Sequence, residues 1–526
     1  MSRTRIIKGK LIEIIGKDYS IFSESSIVYN ATETINIKGE DKGVSHNMPL
    51  KTNVLEQDIG ECIVEFRPRV PNYGKFGFDF MRVGDNIGSG VHDITYLGNM
   101  GTYAQNNYNN TFSADASPFN KFKGLITAEF NPLNISVSEF RKANVREKYA
   151  VPWLSLYRIP AGRLLVDGTP DPEADSCIAA TLKLFIEVKT EPDELRLQFD
   201  DRYFSIIGNG GTTTKAETTK PNTSYFSIPS KTPTIASGTA GTPHTMDIEI
   251  NCIKEFGSIM SIKAFAVTKD AAANTTVENL SGKLLIKPNN KANRKYQKIV
   301  LVNVKTSLAP SGGNLTGQED VLKHALRQAL IDPRIKNIEL PCTGADFNPY
   351  LHTAPTPPGS TTAPPQVIKG YYEYDYANSR ENTHKPRVWK DIEDYLNAKL
   401  VAQEGNRYNS YIKVYYFGSQ GGYIKVDGTW KVLNGYSATG QKTTVLFHGY
   451  DVNATTSHEV LHSMGLDHTF ENKNIIPRGM TRTNAPNGKY TFKQGITDNI
   501  LDYASGRKSL MEWQWDIIRA SAQSEP

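Results

Sequence analysis

His458-Glu459-Val460-Leu461-His462-Ser463-Met464-Gly465-Leu466-Asp467-His468 sets three imidazoles and a carboxylate at the spacing of a catalytic zinc site. Residues four apart share one face of a helix, so His458 and His462 can present their ring nitrogens to the same ion. Glu459 lies beside that ion, too close to be a comfortable further ligand and well placed to take a proton from a metal-activated water. Gly465 tolerates positive φ, so the helix can stop there and the chain can turn to bring His468 under the ion. With 10 histidines in 526 residues, chance assembly of this pattern is on the order of one chain in 10⁵. That outweighs an ordinary amphipathic helix with stray histidines.

The eleven residues resemble the metzincin signature HExxHxxGxxH. Thr469-Phe470 directly after the third histidine, and Thr497-Asp498-Asn499-Ile500-Leu501-Asp502-Tyr503 further on, resemble the pappalysin-like branch of that family. The resemblance implies a zinc endopeptidase with His458, His462 and His468 as ligands and Glu459 as general base. Leu501 stands where the family's turn carries methionine, the residue that floors the metal site without binding it. Leucine is similar in volume, so the exchange costs less than about 1.5 kcal/mol. Tyr503 matches a tyrosine that in several branches approaches the zinc, where a phenol can stabilise developing oxyanion charge by about 2.7–4 kcal/mol. The alternative for Tyr503 is a core aromatic of the turn. Asn499 and Asp502 read as turn formers, because short polar side chains satisfy nearby backbone.

Length and composition set the frame around this motif. A chain of 526 residues is expected to form about three domains, each with its own core. A net charge of +5, with 60 basic against 55 acidic residues, argues against nucleic acid as a partner, and no long apolar run suggests a membrane span. Cys62, Cys177, Cys252 and Cys342 show no CxxC pair, which predicts buried thiols and synthesis in a reducing compartment. Lys8, Lys10 and Glu13 interrupt the apolar part of the first fifteen residues, so no standard secretory leader is expected.

The expected fold class is multidomain, with an all-β N-terminal half and an α/β (α+β) metzincin-like C-terminal catalytic domain. Residues 296–526 alternate strand and helix patterns. The run Ile299–Val304 is β-branched, Thr316-Gly317-Gln318-Glu319 reads as a capping box, and an apolar stripe from Val321 to Leu330 runs until Asp332-Pro333. Ile338–Leu340, Ile412–Phe417 and Thr443–Phe447 read as strands, and Trp389, Ile392, Leu396 and Leu400 as a helix. Asn453, Thr455 and Thr456 are candidate caps of the metal helix, and Leu510, Trp513, Ile517 and Ile518 mark a closing helix. The Pro/Thr-rich stretch Thr353–Pro365 reads as an exposed loop. A mixed sheet follows, with a peptide substrate adding to one of its edges.

Residues 151–290 read as a β-sandwich, because Leu182/Leu184/Ile186/Val188, Leu195/Leu197/Phe199 and Met246/Ile248/Ile250/Cys252 alternate between Gly/Thr-rich segments (Gly208–Thr219, Ile235–Thr245). Lys287–Lys295 reads as a linker. Residues 1–150 read as a β-rich docking or delivery region, with strands expected in 6–31 and 64–83 and Phe76, Phe78 and Phe80 on one side. Its opening strands and the stretch Phe66–Asp85 resemble spike components and delivered effectors of bacterial contractile, type VI-like injection machines. His46, His92, His244, His324, His352, His384 and His448 lack ligand spacing and read as structural or exposed.

The expectation is a Zn²⁺-dependent endopeptidase acting on a protein or peptide, made without a visible signal peptide and delivered by a specialised secretion system. A spike tip or adhesin that keeps zinc without turnover, and a zinc amidase acting on cell-wall peptides, remain alternatives with the same site.

Overall fold

The computed structural model describes residues 62–69, 72–80, 130–136, 148–165, 168–188, 191–208, 211–215, 222–229, 244–270, 275–354, 365–372, 390–424, 429–437, 439–469, 495 and 497–525. The expected strands in 6–31, most of the loop Thr353–Pro365, Trp389, Phe470, His46, His92 and His384 lie outside them.

The first half is strand-rich. In chain order it holds β1 (Cys62–Pro68), β2 (Gly77–Asp79), β3 (Leu133–Ser136), β4 (Lys148–Tyr149), β5 (Trp153–Ser155), β6 (Ala180–Val188) and β7 (Glu194–Asp200). β8 (Phe204–Gly208), β9 (Thr212–Lys215), β10 (Thr223–Pro229), β11 (His244–Cys252), β12 (Met260–Asp270) and β13 (Thr275–Ile286) follow. Two sheets, ordered β1-β6-β11-β8 and β2-β5-β13-β12-β7-β10-β9, share one apolar core. The period-2 residues Leu182, Leu184, Ile186, Leu195, Leu197, Phe199, Met246, Ile248 and Ile250 all point into it, as a strand with one core face requires.

The sandwich begins well before residue 151, where the sequence set its boundary. β1 pairs with β6 and β2 with β5, long-range pairings that no local pattern announces. Phe76, Phe78 and Phe80 enter the sandwich core, while Gly77 and Asp79 face the second half. A Cβ at Gly77 would lie 2.3 Å from Gln328 O, so only glycine permits this approach. The segment expected as a linker, Lys287–Lys295, is also tightly held. Asn289 and Arg294 are buried, and Lys287 and Arg294 ion-pair with Glu512 and Glu255. The expected Gly/Thr-rich break Gly208–Thr219 contains β9.

The second half contains β14 (Lys295–Thr306), α1 (Gln318–Arg327), β15 (Ile331–Cys342), β16 (Leu351–Thr353), β17 (Gln366–Tyr372), α2 (Lys390–Glu404), β18 (Ile412–Phe417) and β19 (Gly421–Ile424). It ends with β20 (Trp430–Leu433), β21 (Gly435–Ser437), β22 (Thr443–Leu446), α3 (Thr455–Ser463), α4 (Glu512–Ser521) and β23 (Gln523–Ser524). Its main sheet runs β15-β14-β18-β22-β21. Along this path the pairs are parallel except β21, which is antiparallel to β22 at one edge, and β23 adds an antiparallel pairing to the start of β14. Ile299 and Leu301 of β14 pack with α1, α3 and α4, and Val300, Val302 and Val304 pack with α2. Cover on both faces explains why this strand is a continuous apolar run.

Two local expectations change. α1 ends at Arg327 rather than at Asp332-Pro333; Leu330 takes φ 59° and the chain enters β15 at Ile331. Pro333 is tolerated because β15 is an edge strand and a proline there removes no needed ladder bond. The capping box at Thr316 does not form: Gly317 is the N-cap at φ 74°, without a side-chain cap bond. Gln318 instead reaches across to Val452 O at 2.9 Å and to Thr456, tying α1 to the metal helix. No helix among the described residues is long and apolar enough to cross a membrane.

Candidate metal centre

Helix α3 is buried along its whole length, from Thr455 to Ser463. Its N-cap is Ala454; of the expected caps, Thr455 Oγ1 accepts the Asp451 amide at 3.1 Å and Asn453 N donates to Asp451 Oδ1. Thr456 bonds Tyr416 Oη at 3.2 Å, and Ser463 bonds Ser437 and Thr444 at 2.8 and 3.1 Å. These contacts fix the helix beneath the sheet.

The helix ends in a Schellman turn. Leu466 N reaches Leu461 O at 3.1 Å and Gly465 N reaches His462 O at 2.9 Å, with Gly465 at φ 97°. Leu461 and Leu466 are both in the core, the apolar contact that accompanies such a turn. The reversal carries His468 back to the helix, as the glycine's position predicts. It also sets Leu466 O 2.6 Å from His462 Nδ1.

The three Nε2 atoms form a near-equilateral triangle: 3.1 Å for His458–His462, 3.1 Å for His462–His468 and 3.2 Å for His458–His468. His458 Nδ1 lies 2.7 Å from Ile500 O and His462 Nδ1 2.6 Å from Leu466 O. A carbonyl can only accept, so both Nδ1 atoms carry the proton and both Nε2 atoms present bare lone pairs. Lone pairs this close repel unless a cation lies among them. Two nitrogens sharing a tetrahedral zinc stand about 3.3 Å apart, so the donor set fits that ion. Burial first, then mutual repulsion and Arg507, hold His458 well below the usual imidazole range; burial also lowers His462 and His468. The rings therefore stay neutral, the state in which imidazole binds metal.

Glu459 follows His458 on the helix and is also buried. Burial pushes its carboxyl up to about 8, against the opposing pull of Arg507 and a hydrogen bond from the Ser437 amide. Tyr503 Oη stands 3.0 Å from His468 Nε2, and the residue is 51% exposed. It is therefore at the site and open to solvent, not an aromatic of the core. Partial burial and Glu459 push its phenol up to about 12, so it stays protonated as a donor.

The turn that carries Tyr503 is held by the two residues read as turn formers. Asn499 Oδ1 accepts Leu501 N at 2.9 Å, and its Nδ2 donates to Gln514 at 2.7 Å. Asp502 accepts Thr497 N, Thr497 Oγ1, Gly495 N and Tyr503 N. Leu501 is fully buried in the core that contains Met464 and Leu466.

His458, His462, His468 and Tyr503 therefore come together, and Glu459 is buried next to His458 on the helix. Among the described residues this trio is the one cluster of potential metal ligands; His352 stacks on Trp430 instead. Two contributors carried no sequence signal. Arg507 donates to Asp502 O at 2.8 Å and lies 3.3 Å from His458 Nδ1, adding positive charge beside the trio. Ser437, at the edge of the sheet, reaches Glu459 through its backbone, which no side-chain pattern encodes.

No family model matches this chain, and no curated protein matches it. Among solved structures, the full-length major pilin SpaD from Corynebacterium diphtheriae is 9% identical over 31% of this chain, with a TM-score of 0.15. The match spans 42% of that pilin's length. A complex of a CaDoc0917 variant with CaCohA2 at pH 5.5 is 10% identical over 26% of this chain and 99% of that one, at a TM-score of 0.14. A family 123 glycoside hydrolase from Clostridium perfringens is 8% identical over 57% of this chain and 50% of that one, at 0.13. None of these overlaps amounts to a shared fold.

Proposed function

We propose that this protein is a zinc-dependent endopeptidase of metzincin-like type, with residues 296–526 as its catalytic domain. The observation that carries the proposal is the triangle of converging Nε2 atoms, two of them left bare by the carbonyls at Nδ1, with Glu459 on the same helix. Three histidines leave a tetrahedral ion one position short, which is the mark of a catalytic rather than a structural site. Zinc bound there would supply Lewis acidity, polarising a carbonyl and acidifying water.

The chain's own groups account for the rest. Glu459, whose carboxyl burial raises to about 8 and whose ionised form a bound cation would favour, would take a proton from the attacking water and return it to the leaving amine. The Tyr503 hydroxyl donates to the oxygen on which negative charge develops. β21 is the antiparallel edge of the sheet, and Phe447 N donates to Asn434 O just before it, so by alternation Gly435 and Ser437 turn their peptide groups away from β22, with the Ser437 amide meeting Glu459. An extended substrate pairing with that edge would lie beside Glu459.

The alternative of a zinc-retaining protein without turnover rests on Leu501. Its full burial in the core cluster that also holds Met464 and Leu466 favours an intact apolar floor and thus an active enzyme. Delivery by a contractile injection machine is a further part of the proposal, carried by the sequence resemblance at the front of the chain.

The test is cleavage of a mixed peptide library by purified protein with and without chelator, alongside Glu459→Gln. Chelator-sensitive cleavage is expected, with the variant keeping its zinc and losing turnover. Undiminished cleavage by Glu459→Gln would remove this residue from the mechanism. Zinc binding with no cleavage of any peptide would favour the binding protein.

A further inference from the structure

The segment 498–509 carries three groups of the metal centre. Ile500 O accepts the His458 Nδ1 proton, Leu501 lies in the core below, and Tyr503 Oη stands beside His468. The segment is closed at its base. Asp498 O accepts Lys508 N at 2.8 Å and Ser509 N at 3.1 Å, Ser509 Oγ donates to Asp498 Oδ1 at 3.1 Å, and Ile500 N donates to Ser509 O at 2.9 Å.

That base rests on a turn of the first half, residues 72–75, between β1 and β2. Tyr73 Oη donates to Asp498 Oδ2, 425 positions away in the chain. Next to it, Gln328 Nε2 joins Gly74 O at 2.9 Å to Lys508 O at 2.8 Å, while Gln328 Oε1 accepts Leu510 N at 2.9 Å. Gly74 has φ 91°, and a Cβ there would stand 2.8 Å from both Cβ and O of Lys508, so the turn fits directly against the segment. Tyr73, Asp498 and Ser509 are all buried, and a carboxyl group out of water depends on the donors that reach it.

We propose that Tyr73 is a positioning residue of the metal centre: its hydroxyl clamps Asp498, and through the closed base of the segment it holds Ile500 O against His458. The path is short. Asp498 lies two residues from Ile500, and Ser509 touches both. A group that orients a ligating imidazole is typically worth 10–100-fold in metal affinity. Tyr73 acts one step further out, so its effect belongs at the lower end of that range. The inference rests on reading the trio as a metal centre and does not need peptide cleavage.

A hydroxyl that merely glued the halves together would behave like other contacts of the junction. Arg163 supplies the comparison, because it reaches Asp332 of the second half at 2.8 Å and its partners Asp171 and Asp332 both lie outside 498–509.

The experiment compares the full chain as wild type, Tyr73→Phe and Arg163→Gln, each well below its melting transition. Zinc affinity is measured by competition with a chromophoric chelator, the geometry of the site by the visible spectrum of the Co²⁺ form, and backbone protection by hydrogen exchange of the metal-free protein. Tyr73→Phe should weaken zinc on the order of 10-fold, alter the Co²⁺ bands and speed exchange at Ile500, Lys508 and Ser509. Arg163→Gln should lower the melting temperature and leave all three readouts at their wild-type values. Equal zinc affinity and exchange in wild type and Tyr73→Phe, or equal losses in the two variants, would overturn this inference alone. A wild type that takes up no zinc would overturn the metal reading with it.

Discussion

At the scale of single residues, two carbonyl oxygens decide the chemistry. Ile500 O and Leu466 O each accept an Nδ1 proton from a site histidine, and this fixes the tautomer that leaves Nε2 bare for metal. The acceptors are backbone atoms, so their role is invisible in side-chain identities. Tyr503 can be tested directly. If its hydroxyl stabilises the oxyanion, Tyr503→Phe should lower kcat on the order of 10²-fold with zinc content unchanged. If the ring only packs, kcat will be that of the wild type.

At the scale of elements, the metal helix depends on how it ends. Gly465 has φ 97° and open space where a Cβ would stand, so the cost of Gly465→Ala is conformational rather than steric. We expect a loss of at least about 1 kcal/mol in denaturant melts, and weaker zinc binding, because Leu466 O and His468 both follow the turn. Unchanged stability and affinity would mean that the turn does not position the third ligand. The helix, its glycine stop and the third histidine were legible from sequence because each is a local relation within eleven residues. So were the apolar faces of α2, where Ile392, Leu396 and Leu400 are all buried, and of the sandwich strands. The N-terminus of α1 was misread, because Gly317 at positive φ and the bond from Gln318 to the metal helix replace the local capping box.

At the scale of the whole molecule, the sandwich buttresses the second half. Tyr73 bonds Asp498 in the metal-site turn, Gln328 Nε2 donates to Gly74 O at 2.9 Å and Lys508 O at 2.8 Å, and Asp79 accepts Glu512 N at 2.9 Å. Such contacts join residues hundreds of positions apart, so the sequence offered no sign of them. Asp332, which ion-pairs with Arg163 from the first half, gives this junction a pH signature. Burial, opposed by Arg163, Arg327 and Arg334, pushes its carboxyl up from 3.8 to about 6. The folded state thus holds the proton more tightly than the unfolded chain. This contribution is fully present below about pH 4 and is lost as pH rises through about 6. Melting temperature should fall over that window, by at most about 3 kcal/mol in stability terms, and Asp332→Asn should flatten the fall. An identical slope in the variant would assign the effect to another group.

The central claim, that three imidazole nitrogens share one cation with a position left open, is tested most directly by zinc K-edge X-ray absorption on the metal-loaded protein. The account predicts one zinc per chain with three histidine nitrogens at about 2.0–2.1 Å and a light oxygen or nitrogen ligand that exogenous anions displace. A zinc closed by four protein side chains, or a spectrum unchanged when His468 is replaced by alanine, would contradict it.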